Sequence, residues 1–412
     1  MSRLEELIAE LCPNGVEYKT LGEIGIFIRG SGLQKKDFTE SGVGCIHYGQ
    51  IYTFYGSFAY KTKSFVAKEL AKNLKKASYE DLIFAITSEN IEDVCKCLAW
   101  LGEEEIVIGG HSAIFKHNQN PKYITYYTQT ENFFRQKRKI VTGTKVIEAS
   151  PAKLSLIKIP VPPLPVQKEI VRILDNFAEL TAELTAELNK RKQQYQYYRD
   201  LLLTFDNTEA TSQTDRQAVV SSVQWLKLGD IGKVSMCKRI MKYETSPEGD
   251  IPFYKIGTFG KKPDAYISRQ KYEEYRQIYT YPKKGNILIS ASGTIGRAVI
   301  YNGEEAYYQD SNIVWIANDE KQVLDKYLYY FYQLQPWSIP IGGTISRLYN
   351  DNIAKTPVPV PPLAEQARIV AILDRFDALC NDLTSGLPAE IEARQKQYEY
   401  YRDKLLTFKE AI

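Results

Sequence analysis

The sequence contains few of the residues that bind metals or build disulfide frameworks. Its 412 residues include three histidines and six cysteines, with one C-x-C pair, Cys95 and Cys97, and no C-x-x-C pair. Structural zinc sites and secreted disulfide scaffolds use cysteines paired at short, regular spacings. We therefore expect no metal site and no disulfide, and a reducing cytoplasm as the location of the protein.

No stretch of the sequence is apolar enough to cross a membrane. The N-terminal residues, MSRLEELIAELCP, carry charges among their apolar positions, and the chain nowhere approaches the roughly twenty apolar residues of a spanning helix. We expect neither a signal peptide nor a membrane anchor. An apolar fraction of 44% and a charged fraction of 25% are typical of a globular protein with two or three domains.

Motifs for catalysis are missing as well. No GxxxxGK[ST] phosphate loop occurs, so ATP hydrolysis by this chain is not expected. The segment Asn120-Pro121-Lys122-Tyr123 resembles the Asn-Pro-Pro-aromatic loop of adenine methyltransferases, but a lysine replaces the second proline and no Gly-rich cofactor loop accompanies it. We interpret this segment as a turn before a helix. His111 has no assignable serine or acidic partner, which favours a loop histidine or a ligand contact over a catalytic base.

Positive charge is clustered more than it is abundant. The formal net charge is only +3. Three segments nevertheless concentrate basic residues: Lys61, Lys63, Lys68, Lys72, Lys75 and Lys76; Arg135, Lys137, Arg138 and Lys139; Lys233, Lys238, Arg239 and Lys242. A clustered basic face indicates nucleic-acid binding more reliably than total charge does, although any single run is also compatible with a solvated surface.

A long internal repeat organises the chain. The segment Ile159 to Phe205 is closely matched by the segment Val358 to Phe408, and both end in Q-Y-x-Y-Y-R-D-x-L-L-T-F. Apolar residues recur in each copy at steps of three and four, which predicts a long helix with one apolar seam. A helix from Val166 to Phe205 would be roughly 60 Å long. Because such seams pack against a partner helix, each copy is the expected partner of the other.

Proline-rich segments introduce both copies, at Pro160–Pro165 and Pro357–Pro362. Proline fixes φ and removes an amide donor, so these segments predict stiff, extended entries into the helices, and ligands for SH3-type domains are the less favoured alternative. The second copy contains four extra residues around Ser385-Gly386-Leu387-Pro388. An interior proline interrupts a helix, so we predict a kink or a new helix start at Pro388.

The repeat extends beyond the helices, since VEYKTLGEIG near the N-terminus corresponds to VQWLKLGDIG from Val223. We predict an α+β protein with two similar globular domains separated by two long antiparallel helices that form a coiled coil, related by a pseudo-twofold internal repeat. The expected domains are 1–158 (N-terminal helix and first globular domain), 159–206 (central helix), 207–222 (linker), 223–357 (second globular domain) and 358–412 (C-terminal helix). Predicted elements include a strand at Gly44–Tyr48 and helices at Ser2–Leu11, Lys122–Lys139 and Lys326–Gln335.

Polar and basic loops recur at equivalent points of the two domains. Arg and Lys pair with guanine edges and Gln and Asn with adenine, while glycines let the backbone approach phosphates. Such residues are also common in ordinary turns. The candidate DNA contacts in the first domain are Tyr48, Gln50, Lys61, Lys63, Ser88, Asn90, His111, Ser112, Thr144 and Lys145. Those in the second domain are Lys238, Arg239, Tyr254, Lys255, Thr258, Ser292, Thr294, Arg297, Gln309, Asn312, Thr344, Ser346 and Arg347.

The start MSRLEELIAELCPNGVEYKTLGEI, the P-x-P-P-L-x-x-Q-x-x-I-V-x-I-L-D segments and the paired helix ends together resemble the specificity subunit of type I restriction-modification enzymes over the whole chain. The resemblance implies a non-catalytic DNA-recognition subunit. Each globular domain would read one half of an asymmetric bipartite site, and the helices would set the spacer and dock two modification subunits, which two restriction subunits then join. S-adenosylmethionine, ATP and Mg would be bound by those partners and not by this chain.

In this family the central helix is where tandem repeats change the spacer. Here it contains two identical tetrapeptides, formed by Thr181, Ala182, Glu183 and Leu184 and by Thr185, Ala186, Glu187 and Leu188. Two other functions remain possible at this point: a single-chain enzyme with a fused specificity module, and a coiled-coil scaffold that does not contact DNA. Methylation by the purified chain alone would indicate the first, and binding without steep salt dependence would indicate the second.

Overall fold

The computed structural model describes residues 2–205, 222–338 and 347–411. These form two compact units, Met1–Thr185 with Glu390–Ile412 and Ala186–Ala389. The linker predicted at 207–222 lies outside the described residues except for Ser222. Within the described ranges, no helix has the length and apolarity needed to span a bilayer. All six cysteines are buried free thiols.

The first unit contains most of the elements of the N-terminal half. They are α1 Arg3–Leu11, β1 Tyr18–Thr20, α2 Leu21–Ile24, β2 Gly25–Arg29, β3 Phe38–Thr39, β4 Val43–Ile46, α3 Tyr48–Thr53, β5 Phe58–Ala59, β6 Ser64–Val66, α4 Lys68–Ala71, β7 Lys75–Ala77, β8 Leu82–Ala85, β9 Thr87–Ser88, β10 Lys96–Trp100, β11 Ile106–Ile108, β12 Ser112–His117, α5 Pro121–Tyr127, α6 Glu131–Ile140, β13 Ile147–Glu148, α7 Pro151–Leu154, β14 Lys158–Pro160 and the start of α8, Leu164–Leu203.

Two five-stranded sheets form the body of this unit, in the orders β2-β12-β8-β10-β5 and β3-β6-β4-β11-β7. Strand residues alternate between two cores, as the period of two predicts. Phe84 and Phe115 pack with helix residues such as Tyr123 and Ile170. Residues of the opposite face, such as Ile83, pack towards the second sheet. The central sheet is therefore buried on both faces.

The second unit repeats this plan with a different outer part. Its elements are β15 Gln224–Lys227, α9 Leu228–Ile231, β16 Lys233–Met236, β17 Ile251–Tyr254, β18 Tyr266–Ile267, α10 Arg269–Ile278, β19 Ile287–Ser290, β20 Ala298–Ile300, β21 Tyr307–Tyr308, β22 Ile313–Ala317, α11 Asp325–Tyr332, α12 Asn350–Lys355, β23 Pro357–Val360, α13 Leu363–Asn381 and α14 Leu387–Leu405. The sheets run β16-β22-β19-β20 and β18-β17-β21. The central strand order β2-β12-β8 of the first unit thus recurs as β16-β22-β19.

Each proline-rich segment enters its helix as a short edge strand. β14 pairs antiparallel with β1, and β23 pairs antiparallel with β15. The expected extended conformation is confirmed, although helix α8 begins at Leu164, before Pro165. A proline is tolerated in the first helical turn because the backbone nitrogens of that turn have no acceptor within the helix, so its missing N–H costs no hydrogen bond.

The first long helix is confirmed as α8, which is continuous over 40 residues. The single C-terminal helix expected for the second copy is corrected to two helices of 19 residues each, α13 and α14. The interruption lies where Pro388 predicted it. Between the helices, Asp382 accepts hydrogen bonds from the Thr384 backbone N and the Ser385 hydroxyl. Gly386 is required there because a Cβ at this position would collide with the carbonyl oxygens of Ala378, Leu379 and Asp382.

The two copies of the repeat contact each other inside both units. In the first unit, Phe177 of α8 stacks on Tyr401 of α14 with ring centroids 5.5 Å apart. In the second unit, Phe376 of α13 stacks on Tyr198 of α8 at 5.7 Å. These are equivalent pairs with the two copies exchanged. Cys380 lies one turn beyond Phe376 and within electrostatic range of Lys192 and Arg191, which precede Tyr198 in α8, so in this unit α8 and α13 run antiparallel.

A buried glutamine anchors each globular domain to its helix. The Gln167 Nε2 donates to the Pro162 carbonyl at 2.7 Å and to Gln119, and its Oε1 accepts from the Asn120 backbone N at 3.0 Å. Gln366 makes the same arrangement with Pro361, Gln322 and Leu324. Asn120 and Leu324 are the N-cap residues of α5 and α11. The start of each long helix is thus fixed to the start of a domain helix.

Two predicted elements need correction. The helix predicted at Lys122–Lys139 is two helices, α5 and α6, because the Thr130 side chain caps a new helix by accepting from the Phe133 backbone N. The strand predicted at Gly44–Tyr48 ends at Ile46. Tyr48 begins helix α3 instead, because side chains cap the start of that helix. The His47 backbone N donates to the Gln50 Oε1, and the His47 Nδ1 accepts from the Gly49 backbone N.

From the partly buried His117, whose Nε2 atom is inaccessible to solvent, we predict a pH-dependent stability of the first unit. Its ring stacks on Phe115 with centroids 5.3 Å apart, and its Nδ1 accepts a hydrogen bond from the Gln119 backbone N. Burial lowers the pKa of His117 from 6.5 to about 4, against an opposing effect of the Asp81 carboxylate. Between these two pH values the unfolded chain binds the proton more tightly than the folded chain, so stability falls as the pH falls from 6.5 to 4.

We expect His117→Asn to remove this contribution. Between pH 7 and pH 4 the free energy of unfolding of the wild type should fall by up to ~3 kcal/mol more than that of the variant. Thermal and denaturant unfolding across this pH range would measure the difference. His47, whose pKa is also lowered by burial, is present in both proteins and cancels in the comparison. Identical pH profiles of the two proteins would contradict this prediction.

Candidate nucleic-acid interface

Four polar side chains meet at one end of the central sheet in the first unit. Thr87 of β9 and Glu148 of β13 are paired strand residues. The Nδ1 of His111 lies 3.1 Å from the Thr87 hydroxyl oxygen. Arg29, at the end of β2, donates to the Glu148 carboxylate at 2.7 Å and to the Gly110 carbonyl at 3.3 Å. We call Arg29, Thr87, His111 and Glu148 the first cluster.

Aromatic rings extend the first cluster. The Tyr48 ring lies 4.9 Å from the His111 ring and 4.5 Å from the His47 ring, measured between centroids. Gln50 has a structural role instead, because its amide bonds to the His47 backbone N and to the Ser64 hydroxyl. The structure therefore brings Tyr48 and His111 together, as two of the predicted residues, and commits Gln50 to the fold.

The other candidates of the first unit lie apart from this cluster. Ser112 is a correction, since it is fully buried in β12 and no described residue hydrogen-bonds its hydroxyl. The Asn90 side chain is exposed but bonds to both the backbone N and the carboxylate of Asp93. Lys63 lies over the Phe54 ring at 4.4 Å. The remaining four occupy loops or a short edge strand, with the lysines and Thr144 exposed and Ser88 half-buried: Lys61, Ser88, Thr144 and Lys145.

The equivalent end of the central sheet in the second unit holds a second cluster. The Ser292 hydroxyl donates to the Asn312 Oδ1 at 2.9 Å. Arg347 pairs with Ser292 through the backbone and donates from its guanidinium to the Ser311 carbonyl at 3.0 Å. Arg239 forms an ion pair with Asp310 at 2.8 Å. We call Arg239, Ser292, Asp310, Asn312 and Arg347 the second cluster, which contains four of the predicted residues.

A turn beside the second cluster gathers several further candidates. Gln309 accepts a hydrogen bond from the Ile256 backbone N, and the Thr258 hydroxyl bonds to the backbone of Lys255. Lys255 forms an ion pair with Asp264 at 2.9 Å. Arg297 donates to the Phe259 carbonyl at 2.8 Å. Burial raises the pKa of Tyr254, whose ring stacks on Tyr308, so this hydroxyl stays protonated at neutral pH.

Two more predicted residues lie at the surface of this unit. Lys238 is exposed and lies over the Tyr279 ring at 5.0 Å. Thr294 is exposed in the loop between β19 and β20. That loop is held by Gly296, whose φ is +77° and whose missing Cβ leaves room for Gln335 and Trp337. Thr344 and Ser346 lie outside the described residues.

The two clusters differ in their balance of charge. The Arg29 guanidinium faces the Glu148 carboxylate in the first cluster, whereas Arg347 has no acidic partner within the described part of the chain. Elsewhere in the first unit Lys72 and Lys76 form ion pairs with Glu69 and Glu105. Lys61, Lys68 and Lys75 are exposed without an ion pair to any described residue. Unpaired surface cations of this kind attract a polyanion at long range.

Two buried thiols and the potential metal ligands of the described ranges bear on covalent and metal chemistry. Burial raises the pKa of Cys45 and of Cys95 to about 12, so neither thiol is a nucleophile at neutral pH. No group of three or more His, Cys, Asp or Glu among the described residues is placed to hold a metal ion. The polar groups at the sheet ends are hydrogen-bond donors and acceptors of the kind that bind nucleic-acid edges and phosphates.

Sequence reasoning missed Arg29. It is a single arginine at the end of an ordinary strand, so neither charge clustering nor loop composition selects it. An alignment of the two halves could have raised it, because Glu148 stands where the second unit has Arg347 and therefore needs a cation nearby. The order of the backbone pairs confirms that correspondence, with Glu148 opposite Thr87 and Arg347 opposite Ser292.

The sequence matches the family model described as "Type I restriction modification DNA specificity domain" twice, over residues 13–191 and 221–393. The chain belongs to this family. Family membership confirms the resemblance carried by the helix repeats, including the prediction of a DNA specificity subunit without a catalytic site of its own. The two matched regions also agree with the repeated α+β plan of the two units.

Individual relatives have the same designation. A putative type I restriction enzyme specificity subunit of Haemophilus influenzae, S.HindORF215P, is 51% identical over 317 residues, covering 75% of this chain and 76% of that protein. The EcoR124I/EcoR124II specificity subunit of Escherichia coli is 36% identical over 272 residues, covering 61% of this chain and 63% of that protein. This chain also shares its fold with a chain solved in work on complex assembly of the type I R-M system. The TM-score is 0.61 and the identity 18%, and the match covers 96% of this chain and 98% of that one.

Proposed function

We propose that this specificity subunit reads an asymmetric bipartite DNA site, with residues 1–158 contacting one half-site and residues 223–357 the other. The observation that supports this most directly is the pair of clusters at equivalent strand ends of the two units. They are built on the same backbone but present different side chains, His111 and Glu148 in one and Asn312 and Arg347 in the other. Two domains that share a backbone arrangement but present different hydrogen-bonding side chains are expected to recognise two unlike half-sites.

The helical segments 159–206 and 358–412 would set the spacer and dock two modification subunits. Exposed apolar side chains occur at matched positions of the two copies: Leu164 and Leu363, Leu180 and Leu379, and Tyr197 and Tyr400. Tyr197 and Tyr400 are 63% and 62% exposed although each ring also contacts the next tyrosine, Tyr198 or Tyr401, so a large aromatic surface stays open on each copy. A duplicated apolar surface suits two copies of one partner, which is why we propose two modification subunits.

The wider complex supplies the chemistry. In this proposal the modification subunits bind S-adenosylmethionine and methylate the site, and two restriction subunits bind ATP and Mg. The proposal places no cofactor in the specificity subunit itself, consistent with the absence of a phosphate loop from its sequence. Its place of action would be the cytoplasm, where the six cysteines would remain reduced.

Methylome sequencing of cells that express this chain with its modification subunit tests the proposal. We expect one methylated motif with two unlike half-sites and a fixed spacer. The purified complex should bind duplex DNA with an affinity that falls steeply with salt, since phosphate contacts release counterions. The purified chain alone should transfer no methyl group. Methylation by the chain alone would support a fused enzyme. The absence of DNA binding at every salt concentration would support a scaffold that does not contact DNA.

A further inference from the structure

The two clusters occupy the same positions in the backbone ladder of their units. In the first unit, the Ile86 backbone N donates to the His111 carbonyl, and the Ala149 backbone N donates to the Ile86 carbonyl, both at 3.0 Å. In the second unit the Ala291 backbone N donates to the Asn312 carbonyl, and the Leu348 backbone N donates to the Ala291 carbonyl, both at 2.8 Å. His111 and Asn312 are therefore structurally equivalent residues.

A hydroxyl group fixes each of these two side chains. The Thr87 hydroxyl lies 3.1 Å from the His111 Nδ1, and the Ser292 hydroxyl lies 2.9 Å from the Asn312 Oδ1. Thr87 is the second residue after β8, which pairs with β12, and Ser292 is the second residue after β19, which pairs with β22. The two residues are therefore equivalent. The other polar atom of each reader, His111 Nε2 and Asn312 Nδ2, forms no hydrogen bond within residues 2–205, 222–338 and 347–411.

A guanidinium group donates to the carbonyl before each of these two residues, although it comes from a different part of the chain in each unit. Arg29 of β2 donates to the carbonyl of Gly110, which precedes His111. Arg347 donates to the carbonyl of Ser311, which precedes Asn312. Two different positions in the sequence thus place a cation at the same point of the frame. Of the two guanidinium groups, Arg29 is charge-balanced by the Glu148 carboxylate, whereas Arg347 has no acidic partner among the described residues and keeps its positive charge for an anion such as a phosphate.

We propose that His111 and Asn312 are the equivalent base-reading residues of the two half-sites, and that Arg29 and Arg347 are positioning residues that hold the DNA backbone or a neighbouring base against them. This inference rests on the proposed function. The Asn312 NH₂ can donate to the N7 of adenine, and its Oδ1, which has a second lone pair besides the one that accepts from Ser292, can accept from the adenine N6 amino group. The His111 ring offers one N–H donor and suits a base acceptor such as the N7 or O6 of guanine.

Variants of the two readers test this in the complex of the chain with its modification subunits. Competition binding would use duplexes that carry the wild-type motif with single base-pair substitutions. We expect His111→Ala to lose discrimination at a base pair of one half-site only, by roughly 5- to 150-fold, which is the range of one good base contact. Asn312→Ala should lose discrimination at an A·T pair of the other half-site. The spacer and the untouched half-site should be unchanged.

Matched controls separate base reading from folding and general affinity. Asn118 and Asn302 are exposed loop residues of the two units away from the clusters, and Asn118→Ala and Asn302→Ala should keep the wild-type specificity. His111→Asn, with an unchanged melting temperature, should move the preference at the affected base pair towards adenine. Equal weakening of binding to all duplexes, or an unchanged preference in both reader variants, would overturn this assignment. If the wild-type complex shows no motif at all, the proposed function itself fails.

Discussion

Deletion of Thr185–Leu188 is expected to shorten the spacer of the DNA site by one or two base pairs and to leave both half-sites unchanged. These residues lie inside the continuous helix α8, and the boundary between the two compact units falls between Thr185 and Ala186. The deleted tetrapeptide is identical to the preceding one, so the sequence at the junction is preserved. Removing four residues shortens a helix by about 6 Å and rotates it by about 40°. DNA rises roughly 3.4 Å per base pair.

The local structure tolerates this deletion. The side-chain hydroxyls of Thr181 and Thr185 bond to carbonyls one turn earlier in the same helix. The Glu187 carboxylate pairs with Arg191, also within the helix. No hydrogen bond to either globular domain is lost from the four residues among those the structure describes. Leu188 packs against the core of the second unit, and Leu184 of the identical preceding tetrapeptide would take its place, so we expect the deletion to change the length and phase of the helix rather than the domain folds.

Methylome sequencing of cells with the deleted chain and its modification subunit would measure the spacer. The control keeps the length of the helix and alters its sequence, for which Thr185→Ala with Glu187→Gln is suitable because the first is exposed and the second is partly exposed. This variant should retain the wild-type spacer. A deleted chain that still methylates the wild-type spacing would show that the helix length does not set it.

The second large effect is expected from the buried glutamine that anchors each domain. In Gln167→Leu the volume is retained, but the Asn120 backbone N and the Pro162 carbonyl lose their buried partner. A buried polar group without a partner costs about 1–3 kcal/mol, so the two together should cost ~2–5 kcal/mol. For a unit of this size we expect the melting temperature of the first unit to fall by about 5–15 °C.

Gln366→Leu provides a matched test in the second unit, where Leu324 and Pro361 lose the same contacts. Gln193→Leu is the control, since Gln193 is exposed on the same helix α8. Scanning calorimetry should show the Gln167 variant lowering one transition, the Gln366 variant lowering the other, and the control lowering neither. Equal melting temperatures for Gln167→Leu and Gln193→Leu would refute the anchoring role.

The sequence determined the architecture because the determining signals are local or repeated. Apolar residues at steps of three and four predicted α8, and Pro388 predicted the interruption between α13 and α14. The duplicated segments predicted that the two copies pack on each other, as Phe177 and Tyr401 do. Boundaries failed where a side-chain cap decides them. Thr130 divides one predicted helix into two, and His47 with Gln50 turns the end of a predicted strand into helix α3.

The candidate site was predictable only in part. Loop composition selected His111, Ser292, Asn312 and Arg347, which the structure gathers at the sheet ends. The same criterion selected Ser112, which lies in the sheet interior with its hydroxyl buried. Ser112 directly follows His111, and the alternation of strand side chains places them in opposite environments. Loop composition does not tell which side of a strand each side chain faces, so it cannot distinguish an exposed candidate from a buried one.

By itself the sequence therefore determined a duplicated, two-domain chain with paired helices, because repeats and helical periodicity are visible along one dimension, and its resemblance to a known family supplied the DNA specificity function. Only the tertiary structure decided which polar residues meet. The strand order β2-β12-β8 brings Arg29 to Gly110 and His111 to Thr87 across long sequence separations. The fold also places the guanidinium groups of Arg29 and Arg347 on equivalent carbonyls from different parts of the sequence, because the position of a guanidinium depends on the fold around it.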